Sequence, residues 1–108
     1  MSATFITKKG DTRVAIKATL LDASGQPVDL TNSSVKFIMA KQNGTVKINR
    51  DALIQDAANG VVWFVFEANE VDEAGTFRGE FEVTYNDGRV ETFPNDGYII
   101  VQINPDLA

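Results

Sequence analysis

The 108-residue chain contains no cysteine and no histidine. Its length is that of one domain, and the missing residues bar disulfides, thiol chemistry, Ser-His-Asp and Cys-His catalysis and His-based zinc sites. Apolar residues make up 44% of the chain, enough for a packed core, while a net charge of −5 argues against nucleic acid as a partner.

The charge is uneven. Residues 1–54 carry eight basic and four acidic side chains, and residues 55–108 carry two basic and eleven acidic ones. Strands from both halves interleave in a sandwich, so this pattern reads first as solubilising charge. The opening MSATFITKKGDTR has no apolar run of signal-peptide length, and nothing approaches the ~20 apolar residues of a membrane span. The expectation is a soluble protein made in the cytoplasm, without a membrane partner.

Along the chain the signals are β. Val14, Ile16, Ala18 and Leu20 share one face of an alternating strand, with Ala15, Lys17 and Thr19 on the other. Residues 22–27 form a turn rich in Asp, Ser, Gly and Pro. A second strand follows with Val35, Phe37 and Met39 in phase, and Gln42-Asn43-Gly44 closes a hairpin. Val46 and Ile48 read as one face of a short strand. The segment 49–58 fits either a short helical turn or an edge strand at Leu53-Ile54. Asn59-Gly60 then launches VVWFVF.

Residues 68–75 are acidic and read as a crossing loop with one helical turn, in which Asp72 serves as a cap. Phe77, Gly79, Phe81, Val83 and Tyr85 point inward on the next strand, with Arg78, Glu80, Glu82 and Thr84 outward. A hairpin at Asn86-Asp87-Gly88, the strand RVETF, a turn at Pro94–Gly97 and a last strand with Ile99, Val101 and Ile103 in phase complete the chain. The pattern predicts an all-β fold over residues 1–108, an antiparallel two-sheet β-sandwich of seven or eight strands, immunoglobulin-like or jelly-roll-like, with a closed barrel as the alternative.

No side-chain set points to chemistry. Glu67, Glu70, Asp72 and Glu73 offer oxygens suited to calcium, yet their spacing departs from an EF-hand loop and fits a solvated loop. Glu80 and Glu82 share a strand face with Arg78 and form its polar stripe. Residues 8–12 lack the Gly-rich run into a helix that a phosphate loop needs. Catalytic residues, cofactors and metals are therefore expected to be absent.

The stretch Val61–Phe66 breaks the alternation, since all six residues are apolar. With Phe64 and Phe66 inward, Val61, Trp63 and Val65 face out. Three outcomes stay open: the outer stripe is covered by residues 49–58 or the acidic loop, it is a modest exposed patch, or it docks onto another subunit. Ile38, Tyr98 and Ile100 also fall on outward phases. If the two groups adjoin, they form one candidate interface of Ile38, Val61, Trp63, Val65, Tyr98 and Ile100, with aromatic anchors of the kind that dominate interfaces.

The order of these segments resembles a known family. KGDTRVAIKATLLDASGQPVDLTNSSVKFIMA (residues 9–40) is similar to the opening of the N-terminal domain of upper baseplate (BppU-type) proteins from tailed phages and prophages of Gram-positive bacteria. Lys9-Gly10-Asp11-Thr12 precedes the first strand, and Asp22, Gly25, Pro27, Val28, Asp29 and Leu30 match the family's turn. AGTFRGEFEVTYNDGRVETFP (residues 74–94) is similar to its Gly-x-(Tyr/Phe)-x-x-Glu-Phe strand, Asp-Gly hairpin and Phe-Pro exit. Phe77 stands where an immunoglobulin-type tyrosine corner would need a hydroxyl. The resemblance implies a non-enzymatic structural protein of a phage tail or baseplate. It would bind other tail or baseplate proteins, attach receptor-binding or fibre components, and reside in the virion. Homo-oligomerisation is left open. Family members place this domain ahead of a coiled coil or receptor-binding module. The chain's end at Ala108 suggests a stand-alone accessory tail protein or a small prophage product. The alternative is a carbohydrate-binding or adhesin-type sandwich using Trp63 and Tyr98 as stacking platforms.

Overall fold

Strand alternation becomes two sheets in the computed structural model, which describes residues 3–107. The strands are β1 (Ala3–Lys8), β2 (Ala15–Thr19), β3 (Ser34–Lys41), β4 (Val46–Asp51), β5 (Leu53–Asp56), β6 (Val61–Val65), β7 (Gly75–Thr84), β8 (Val90–Phe93) and β9 (Ile99–Asn104). A 3-10 turn, Ala68–Glu70, lies between β6 and β7. The large sheet runs β1-β9-β7-β3-β4, with β8 also on β7, and the small sheet runs β2-β6-β5. No helix among the described residues is long and apolar enough to cross a membrane.

The long strand β7 organises the large sheet. One edge pairs with β3 along Phe77–Thr84, while the other is shared by β9, along Gly75–Gly79, and β8, along Phe81–Thr84. Its inward residues Phe77, Gly79, Phe81 and Val83 are buried, as alternation requires. The sheets meet where Phe37 of β3 packs its ring 4.5 Å from that of Phe64 on β6 and 5.1 Å from that of Phe81. Ile16, Leu20, Val35, Met39, Ile99, Val101 and Ile103 complete this core, all on their predicted phases. Gly60 starts β6 at φ +68, and a Cβ there would stand 2.7 Å from the carbonyl oxygen of Val28, so only glycine fits the close approach.

Three local expectations change. Residues 3–8, to which the sequence pattern assigns no strand, form strand β1, and it pairs with β9 in parallel, so the sandwich is not wholly antiparallel. Phe5 and Ile6 are its only large apolar residues and point to opposite faces, which erases the period-2 signal. Val46 and Ile48 do not share a face, because a β-bulge shifts the register between Met39 and Ala40. Ile48 is buried, whereas Val46 is exposed. The 49–58 segment is extended rather than helical: β4 ends in the large sheet, and after Ala52 the chain continues as β5 in the small one.

Candidate docking faces

β6 is the central strand of the small sheet, and its two sides differ. Val62 and Phe64, with Phe66 just beyond the strand, are buried in the core. Val61, Trp63 and Val65 face away from it. Cross-strand pairs share a face, so the register extends this stripe sideways: Trp63 stands between Lys17 of β2 and Leu53 of β5, and Val61 between Thr19 and Asp56. The Lys17 ammonium lies 4.3 Å from the centre of the Trp63 ring, a cation–π contact. Leu53 and Val65 remain 63% and 44% exposed, while Val61 and Trp63 are half-buried, so the stripe is covered only in part. A dent of about 180 Å³ opens beside it, lined by Asp51, Leu53, Trp63 and Val65 among others. Leu53 escaped the sequence-based set because residues 49–58 fitted two periodicities.

The second group of candidates sits elsewhere. Ile38 pairs with Glu80 and Asn49, and Ile100 with Arg78 and Thr4, all on the outer face of the large sheet. Tyr98, just ahead of β9, holds its ring 5.1 Å from the Arg78 guanidinium. The two groups therefore lie on opposite sides of the sandwich and do not adjoin. An outward phase means only "away from the core", and a two-layer body has two such directions. Trp63 and Tyr98 consequently cannot form one stacking platform for a sugar. The large-sheet face is also more polar, with Lys36 directly opposite Glu82.

The acidic loop is committed to its own chain. Lys47 donates to Asp72 at 2.8 Å and lies 3.5 Å from Glu73, which also pairs with Lys41 at 3.2 Å. Asp72 thus pairs with β4 rather than capping the turn. Hydrogen bonding from Lys47 holds the Asp72 carboxyl below its ordinary range, and the bond to Asp72 raises Lys47. Arg50 engages Glu70 with two hydrogen bonds. Among the described residues, no cluster of His, Cys, Asp and Glu is arranged to hold a metal.

A cavity of about 630 Å³ opens at the side of the sandwich between β2 and the exit of β8. Its walls include the core residues Ile16, Phe81, Phe93 and Ile99. Asp22 reaches its rim, but its Oδ1 accepts hydrogen bonds from the Ser24 hydroxyl and from the backbone N–H groups of Ser24 and Gln26. Those bonds, the Ser24 hydroxyl foremost, hold it below the ordinary carboxylate range. It is therefore a turn residue, poorly suited to act as a base.

The chain is thus a two-sheet β-sandwich whose acidic loop is tied into ion pairs with β3 and β4. The sequence model of the BppU N-terminal domain matches residues 4–94, and the chain belongs to that family. This is a family of phage baseplate structural domains, not a known enzyme family, and it gives the chain a structural role in a phage tail or baseplate. The N-terminal domain of phage TP901-1 ORF48 superposes with a TM-score of 0.65 at 16% identity, over 97% of this chain and 94% of that one. CopC from Methylosinus trichosporium OB3b gives 0.57 at 15% identity, over 98% and 88%. At such identities the likeness is one of fold. The comparison with curated protein sequences gave no match.

Proposed function

We propose that this domain is a non-catalytic attachment module of the phage tail or baseplate, docking other virion proteins through the small-sheet face and so helping to hold receptor-binding or fibre components. One observation carries the choice of face: half-buried Trp63 lies in an apolar row with Leu53 and Val65, both of which stay exposed. Large apolar residues contiguous on a surface mark interaction sites, and a central aromatic is the usual anchor.

Particle assembly with a Trp63→Asp variant tests this. The variant keeps the core intact, so the domain should stay folded, as circular dichroism would report. Particles made with it should lack the domain and the appendages it holds, seen as missing density in electron micrographs. Normal incorporation of the folded variant would overturn the assignment of this face. A Trp63 fluorescence change on adding host cell-wall polysaccharide, with normal incorporation, would favour the sugar-binding alternative.

A further inference from the structure

The apolar stripe has flanks of opposite charge. Lys17 stands beside Trp63 on the β2 side, and Asp56, whose Oδ2 accepts a hydrogen bond from Asn59, stands beside Val61 on the β5 side. Read across the strands, the face is basic, then apolar, then acidic. Such a surface is complementary to itself in one orientation only. Two copies packed face to face must be related by a twofold axis lying in the plane between them. With the axis parallel to β6, the basic flank of each copy lies over the acidic flank of the other, and the two Trp63 side chains meet near the axis. With the axis across the strands, Lys17 would oppose Lys17 and Asp56 would oppose Asp56, which like-charge repulsion disfavours.

We propose that the occupant of this face is a second copy of the chain, related by a twofold axis parallel to β6, with Lys17 of each copy paired to Asp56 of the other. This dimer presupposes the docking role assigned to the same face above. Three short strands present a face of roughly 17 by 14 Å, so the pair buries on the order of 500 Å² in total, below the size of standard specific interfaces and in keeping with a weak, transient contact. Association in solution is therefore concentration-dependent, and it tightens where a particle holds several copies close together.

Sedimentation velocity of the whole chain in about 0.1 M salt, from about 10 μM to about 1 mM, tests the proposal over the range of weak dissociation constants. Wild type should pass from monomer to dimer. Lys17→Glu and Asp56→Lys should each remain monomeric, with circular dichroism unchanged. One variant makes the chain more acidic and the other less, so loss in both cannot come from net charge. Mixed in equal amounts, the two variants should dimerise again, because each altered residue then faces its complement. A wild type that stays monomeric at the highest concentration overturns the proposal. So does a Lys17→Glu variant that associates as tightly as wild type, which would mean that Lys17 does not face Asp56, or a mixture that stays monomeric. If dimerisation fails while Trp63→Asp still blocks incorporation into particles, the face docks a different virion protein and only the self-association is lost.

Discussion

Arg50 and Glu70 meet through two hydrogen bonds, Nε to Oε2 at 2.6 Å and Nη2 to Oε1 at 2.8 Å. Nη2 also donates to the Val65 carbonyl at 2.7 Å, and the guanidinium stacks 4.3 Å from the Phe64 ring centre. Glu70 accepts a further bond from the Glu67 N–H. One ion pair thus joins β4, β6 and the 3-10 turn. The carboxylate is the more buried partner, at 8% exposure against 36% for the arginine side chain. Arg50→Ala strands that carboxylate with a single N–H donor and should cost about 2–4 kcal/mol, the lower part of the range for a buried pair because the arginine is partly wet. Glu70→Gln keeps the shape and loses the charge, and should cost about 1–2 kcal/mol. Urea denaturation measures both. Equal, sub-0.5 kcal/mol losses, about the level of neutral surface changes, would show that the pair contributes nothing.

The same pair gives the protein an acid limit. Burial pushes the Glu70 carboxyl up, but the hydrogen bonds from Arg50 and from the Glu67 N–H outweigh it, and the group sits below its ordinary value of 4.5. A carboxyl depressed by folding stabilises the fold fully above its unfolded pKa. That contribution is lost as pH falls through the folded value. Wild-type thermal stability should therefore fall as pH drops below 4.5, and Glu70→Gln should fall less steeply. Asp72 and Glu73 are depressed in the same sense by Lys47 and Lys41, but they are exposed and contribute less. Parallel pH profiles for wild type and Glu70→Gln would sink this assignment.

How much of this was legible in the sequence depended on how far apart the paired residues lie. Phase was local and readable: Val35, Phe37 and Met39, the inward row of β7, and the split of VVWFVF into a Phe face and a Trp face all stand where alternation puts them. Sheet membership was not local. Nothing in the outward phases of Ile38 and Trp63 says that one belongs to the large sheet and the other to the small one. The extra residue at the β4 bulge was equally hidden, because Val46 and Ile48 obey period 2 until the register shifts. β1 escaped notice since its partner is β9, at the other end of the chain. The candidate stripe on β6 was visible, whereas Leu53 needed the pairing of β5 with β6.

Gly79 illustrates a core constraint that alternation alone misses. It faces inward on β7, where a Cβ would stand 2.8 Å from Cζ and 3.0 Å from Cε1 of Phe37. Phe37 is fully buried and wedged between the rings of Phe64 and Phe81, so it has little room to yield. Gly79→Ala should destabilise by about 1–3 kcal/mol through overpacking. Phe37→Leu opens space at that point, so the double variant should be more stable than the sum of the two losses by at least about 0.5 kcal/mol. Simple additivity in a double-mutant cycle would mean that the methyl group and the ring do not compete for the same space.

Adjacent residues on β6 offer the sharpest separation of packing from docking. Phe64 is buried against Phe37 and Phe66, while Trp63 lies half-exposed on the opposite side between Lys17 and Leu53. Phe64→Ala should cost about 3–5 kcal/mol, as removal of a buried ring does. Trp63→Ala forfeits mainly cross-strand contacts and should cost about 1 kcal/mol. Trp63 is the only tryptophan in the chain, so its fluorescence reports on this face alone. In dilute monomer its emission should respond to soluble quenchers, and protection should grow as the face becomes covered. A Trp63→Ala variant that unfolds like Phe64→Ala would place the indole in the core and remove the stripe as a docking surface. A folded variant that no longer associates would locate the contact at Trp63 itself.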